Sequence, residues 1–290
     1  MIFTQALEII RAEIITLFTQ NASLFQSLGM NLFRAFATIL IVWAGIKGAL
    51  NAASGGPGFD FSKFADFLLA LTFGYAMITY YSTPIPGIGV SFYHLITDQA
   101  FDLADKISAQ SDITLHMKID SLIHATTAWK FALGFSISGY LTAAIILIAL
   151  SFLELVIFAV IAFGYIAIGV LTLIGPVFIP FFILPKLDFL FWGWFKSFFQ
   201  YAFYPVIANA FLFIMTKLML ELLSQFDAAS FTDYAYALAK LPILLIIVGA
   251  GIFGTLKIPV LVNHIFSGSA GEGGGGVVQG AVGAAIRGVL

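Results

Sequence analysis

At 290 residues, 61% hydrophobic and only 10% charged, the chain has a mean hydropathy of +1.03. Soluble domains carry roughly 25% charge, so a water-facing globular fold is excluded. The net charge of −2, with Lys and Arg scattered singly, excludes a surface that grips nucleic-acid phosphates directly, and the absence of cysteine excludes disulfides, thiolate metal sites and cysteine nucleophiles.

Residues 1–29 form a first segment, within which 2–27 read as an amphipathic helix. Leu7, Ile10, Ile14, Leu17 and Phe18 share one face at helical spacing. Glu8, Arg11 and Glu13 interrupt the apolar content, and neither a basic leader nor a small-residue cleavage site marks a secretory signal. Insertion is therefore expected to be directed by the spans themselves. Two readings stay open for this helix: it lies on the membrane surface or against the bundle, or it protrudes and touches a partner.

Residues 30–82 hold the first two spans, at about 30–50 and 64–82, joined by the Gly- and Pro-containing loop 51–63. Arg34 and Lys47 sit near opposite ends of the first, where long side chains snorkel to the headgroups. Asp66 opens the second, beside Lys63. Arg34 and Asp66 fall at opposite ends of antiparallel neighbours, which argues against a salt bridge between them. Both are candidate channel or interface residues.

The turn STPIPGIG opens a polar segment, 83–130, with eight charges: Asp98, Asp102, Asp105, Lys106, Asp112, Lys118, Asp120 and Lys130. It is the sizeable water-exposed region of the chain, and its interleaved apolar residues predict helix. Asp112, His116, Asp120 and His124 recur every four residues. Such a stripe can bind a divalent metal, but a solvated face of the exposed segment is the preferred reading, and no metal or cofactor is assigned.

Residues 131–263 form a C-terminal bundle. Between Lys130 and Lys186 lie 55 residues with one charged side chain, Glu154. As a single helix this stretch runs roughly 80 Å, against a hydrocarbon core about 30 Å thick, so two crossings are expected, with the bend near Glu154 or Gly164. Pro176, Pro180 and Pro185 must break or kink its end. Glu154 is a candidate channel or interface residue, since a carboxylate among lipid-facing residues is a functional-site hypothesis by default. It carries a proton in a transporter, lines water or pairs with a neighbouring subunit in a channel, or marks a helix end that meets water.

An aromatic linker, 186–196, carries Trp192 and Trp194 at the interface. A fifth span follows at about 197–222 and a sixth at about 238–262. Gly249, Gly251 and Gly254 spell GxGxxG inside the last. With no preceding strand, they read as small residues for close helix packing, not as a dinucleotide turn. The Gly-rich tail, 264–290, contains GEGGGG without the Lys of a phosphate loop. The predicted fold is all-α: a polytopic membrane bundle of about five to six transmembrane helices, an N-terminal amphipathic helix and a helical polar loop. Six plain spans put Lys47 with Lys63 and Lys186 with Lys196 on opposite sides, against the positive-inside rule. An irregular element in the proline-rich stretch reduces the count to five. No nucleophile–base pair or acidic dyad is present, so the chain is not expected to be an enzyme.

The segment LTLIGPVFIPFFILPKLDFLFWGWFKSFFQYAFYPVIANAFLFI, 171–214, carries a pattern: an apolar span closing on Gly175-Pro176, a run ending at Pro185, a basic-aromatic linker with Trp192 or Trp194, then a new span with Pro205. This resembles the TrbL family of conjugal transfer proteins, which includes the sixth protein of VirB-type type IV secretion systems. The resemblance implies a bacterial inner-membrane channel component without catalysis or cofactor. It implies a homo-oligomer contacting the minor pilin of the stalk, the major pilin, core-complex proteins and ATPases. Such a component passes DNA or protein substrates and supports pilus assembly. It also implies that the polar loop and N-terminus are periplasmic, with an odd number of crossings and a cytoplasmic tail. A secondary transporter is the alternative, although no internal repeat and no intramembrane charge beyond Glu154 support it. A scaffold for another membrane complex is the third reading.

Overall fold

The computed structural model describes residues 2–55, 60–108, 119–122, 124, 137–224 and 234–267. Among these every regular element is helical. They are α1 (Ile2–Ala53), α2 (Phe61–Thr79), α3 (His94–Ser108), α4 (Ile137–Phe178), a 3₁₀ turn (Ile179–Ile183), α5 (Asp188–Ala202), α6 (Tyr204–Ser224), α7 (Tyr234–Leu256) and α8 (Ile258–Ser267).

Local chemistry sets several boundaries. Asp60 caps α2, accepting from the backbone N–H of Ser62 at 3.1 Å and of Lys63 at 3.2 Å. These bonds, the Lys63 N–H foremost, hold the Asp60 carboxyl below its usual range. Asp188 sits in the first turn of α5, where a carboxylate complements the helix dipole. Pro205 is buried in the first turn of α6, where no backbone donor is required of it.

Five helical stretches are long and apolar enough to cross a membrane: Ala6–Ala53, Phe61–Thr79, Tyr140–Ile183, Asp188–Glu221 and Ala235–Phe266. The protein is a multi-pass all-α membrane protein. Its helices turn large apolar side chains outward, with Ile148 68% and Ile246 71% exposed. Such a surface suits acyl chains and not water.

The expectation of two spans within 131–185 is overturned. α4 runs unbroken through both Glu154 and Gly164. A glutamate or a single glycine leaves every backbone N–H in place, so neither stops a helix; only Pro176, near its end, removes a donor. Likewise α1 runs through Gly29 without a break.

The chain divides into two compact units, one formed by Glu8–Gln99, Tyr165–Ala202 and His264–Leu290, the other by Met1–Leu7, Ala100–Gly164 and Phe203–Asn263. In the first, α1 and α2 run antiparallel. Gly74 lets Phe33 approach to 2.8 Å of where a Cβ would stand, and Gln26 bonds the carbonyls of Ile78 and Thr79. In the second, α6 and α7 pack closely: a Cβ on Gly251 would stand 3.0 Å from Met219 Sδ, and one on Gly254 would stand 3.3 Å from Phe211 and Met215. Asn209, buried on α6, donates to the Ala104 carbonyl at 3.1 Å and fixes the end of α3.

Candidate functional site

The first unit converges on the Gly175-Pro176 end of α4. Proline has no N–H, so the carbonyl four residues back, that of Thr172, loses its helical partner. Thr172 is buried, and water cannot substitute. The Tyr81 hydroxyl donates to that carbonyl at 2.6 Å. One residue earlier, Trp194 Nε1 donates to the Leu171 carbonyl at 2.9 Å. The freed helix end is thus held by two aromatic side chains from α5 and from the turn after α2.

Glycine at 175 is required by this clamp. A Cβ there would collide with the Tyr81 hydroxyl and stand 2.5 Å from Trp194 Cζ2. Gly29 of α1 meets the same point, since a Cβ on it would run into the Pro176 carbonyl. Tyr81 is fully buried. Burial, with Tyr93 nearby, pushes its hydroxyl well above the usual tyrosine range, so it remains protonated and able to donate.

Gln26 buttons the end of α2 onto the same junction. Its amide donates to the carbonyls of Ile78 at 2.7 Å and Thr79 at 2.9 Å at the C-terminus of the helix, which also accept from the Tyr81 N–H at 3.3 Å and the Thr83 hydroxyl at 2.9 Å, respectively. Ser82 in turn donates to the Gln26 carbonyl oxygen at 2.9 Å. Phe18 of α1 packs on Tyr93 with ring centroids 4.4 Å apart. Tyr93 pairs with His94 Nε2, and His94 Nδ1 lies 2.8 Å from Asp98. Burial, and then the Asp98 charge, push the Tyr93 hydroxyl up to about 12, so it stays protonated at neutral pH.

The remaining residues singled out by sequence have diverse settings. Trp192 is half-buried and meets Phe182 edge-on at 6.2 Å, whereas Trp194 is buried and hydrogen-bonded. Pro180 is buried in the first turn of the 3₁₀ helix, and Pro185 lies in the turn that follows. Arg34 and Asp66 are exposed, and no ion pair joins them. Glu154 is half-buried on α4. Gly251 and Gly254 lie in close helix contacts, while nothing approaches Gly249 within 4 Å. Asp112 and His116 lie outside the described residues, as do GEGGGG and the rest of the tail past Ser267. Among the described residues no three His, Asp or Glu gather as a metal site.

Sequence reasoning missed Tyr81, Gln26 and Gly29. The rule that a proline orphans the carbonyl four residues back marks Thr172 as needing a donor. It does not say which of the chain's ten tyrosines supplies it.

A family model described as TrbL/VirB6 plasmid conjugal transfer protein matches residues 37–258. The chain belongs to that family. The match takes in Tyr81, Gly175-Pro176 and Trp194, the complete aromatic clamp. No curated protein matches the chain. As a TrbL/VirB6 protein it is a membrane component of conjugal transfer or type IV secretion and works alongside the other subunits of such a system.

Proposed function

We propose that this TrbL/VirB6 protein is a non-catalytic subunit of the inner-membrane translocation channel, and that the passage for DNA or protein lies between copies of the chain. The observation that carries this is the chemistry of the interior. The buried polar side chains among the described residues are Ser91, Thr97, Thr142, Thr172, Asn209, Thr216 and Thr255, and none is charged. A protomer so built offers a hydrated polymer no route through its own core, whereas symmetric assembly encloses one. Glu154, half-buried on α4, and Arg34 and Asp66, exposed near span ends, are charged residues placed to line it or to meet a neighbouring copy. In this reading the minor and major pilins, the core complex and the ATPases are the partners, and pilus assembly depends on the same subunit.

The orientation follows from charge. Leu40 and Trp43 of α1 line one groove with the turn 184–188, so that turn lies at the same end of its unit as the loop after α1. With α4 read as a single crossing, Lys47, Lys63 and Lys186 fall on one membrane face. The positive-inside rule makes that face cytoplasmic. The polar segment with α3 becomes periplasmic, and five crossings leave the tail in the cytoplasm.

The test uses the cysteine-free background. Single substitutions Ser54→Cys, Leu187→Cys and Asp105→Cys are labelled in intact cells with a membrane-impermeant maleimide. Only Asp105→Cys should react, and reaction of Ser54→Cys or Leu187→Cys sinks the orientation. For the channel itself, deletion of the gene should abolish transfer, and crosslinking inside the assembled machine should give oligomers of this chain. Monomers alone would refute a passage between copies.

A further inference from the structure

The groove between α1 and the turn 184–188 has a volume of about 830 Å³ and opens to the surface of its unit. Its floor is apolar: Leu40, buried on α1, with Leu184 and Pro185. Its rim carries Trp43, 51% exposed, together with Lys186 and Asp188. The antiparallel register of α1 on α2, fixed by Phe33 against Gly74 and Gln26 against Thr79, sets Trp43 level with the first turn of α2. That turn carries the Asp60 cap and the Lys63–Asp60 ion pair at 3.4 Å, both solvent-facing. The groove therefore lies where hydrocarbon gives way to headgroups, the depth that tryptophan and lysine prefer.

We propose that this groove is a phospholipid site selective for a headgroup that carries both a phosphate and a primary ammonium. Three observations specify the occupant. The apolar floor accepts the upper acyl chain, and the Trp43 indole covers the glycerol region. The rim supplies one cation and one anion two residues apart, Lys186 for the phosphate and Asp188 for the ammonium. A primary ammonium brings three N–H donors to a carboxylate, whereas a trimethylammonium brings none. The site requires only that the protein lie in a bilayer, so it stands or falls separately from the channel reading.

The experiment is native mass spectrometry of the full chain released from bilayers of equal parts phosphatidylethanolamine, phosphatidylcholine and phosphatidylglycerol. Phosphatidylethanolamine should be retained over phosphatidylcholine by about 2- to 5-fold, the range of an exposed charge pair. Lys186→Gln should lower retention of all three lipids. Asp188→Asn should erase the preference for ethanolamine over choline, and Lys196→Gln, outside the groove, should change neither. Helix content and monodispersity in detergent check each variant. Should Lys186→Gln fail that check, the Asp188→Asn ratio decides alone. Phosphatidylglycerol favoured in the wild type and further enriched by Asp188→Asn would mean a simple anion site and overturn the proposal. Insensitivity to both variants, or a photo-crosslinker at Leu187 that captures protein in place of lipid, would overturn it as well.

Discussion

Replacing Tyr81 by Phe keeps the buried ring and removes one hydroxyl. The Thr172 carbonyl, 2.6 Å away, then has neither a helical N–H nor a side-chain donor. A buried acceptor left unsatisfied costs about 1–3 kcal/mol. The cause can be isolated by restoring the missing donor: Pro176→Ala puts an N–H back within reach of Thr172. Tyr81→Phe should therefore cost about 1–3 kcal/mol in the wild type but only a few tenths in the Pro176→Ala background, a coupling of about 1–2 kcal/mol. The assay is reversible unfolding in mixed micelles titrated with sodium dodecyl sulfate, followed by circular dichroism and tryptophan fluorescence, on the four proteins of the cycle. An equal penalty in both backgrounds would refute the reasoning, because it would assign the effect to something other than the proline-orphaned carbonyl.

Three further outcomes follow from the same junction. Gly29→Ala should destabilise by about 1–3 kcal/mol in that assay, because the new methyl meets the Pro176 carbonyl, a backbone atom held in a helix; a neutral result would mean that α1 does not pack there. Trp194→Phe should cost about 1 kcal/mol more than Trp192→Phe, since only Trp194 donates to a backbone carbonyl, and reversal of that order would reassign the clamp. Tyr93, with its hydroxyl raised to about 12 from an ordinary 10.0, favours the neutral form when folded. The unfolded chain releases that proton first, so this contribution to stability is complete below pH 10 and declines as pH rises towards 12. Tyr93→Phe should flatten the part of the alkaline decline that Tyr81 does not carry, as read from unfolding midpoints between pH 9 and about 11.5; an unchanged slope would show that Tyr93 is solvated.

The sequence by itself determined the solvent. Composition and the charge-poor stretch around Glu154 demanded apolar helices facing lipid, because backbone groups inside a bilayer must be satisfied within each segment. It also singled out Gly175, Pro176 and the tryptophan pair, but its expectation of both tryptophans at the interface fails for Trp194, which is buried and bonded to the Leu171 carbonyl. What it could not yield was the number of crossings or the reason for the signature. Hydropathy is a local sum, and it divided α4 in two because length alone exceeded one span, although nothing there removes a backbone donor before Pro176. The clamp is a long-range fact: Tyr81 lies 91 residues from Thr172, and no local periodicity encodes that meeting. Only the packing of α1, α2 and α5 around the proline decides which hydroxyl takes up the Thr172 carbonyl it leaves behind and which indole joins the Leu171 carbonyl beside it.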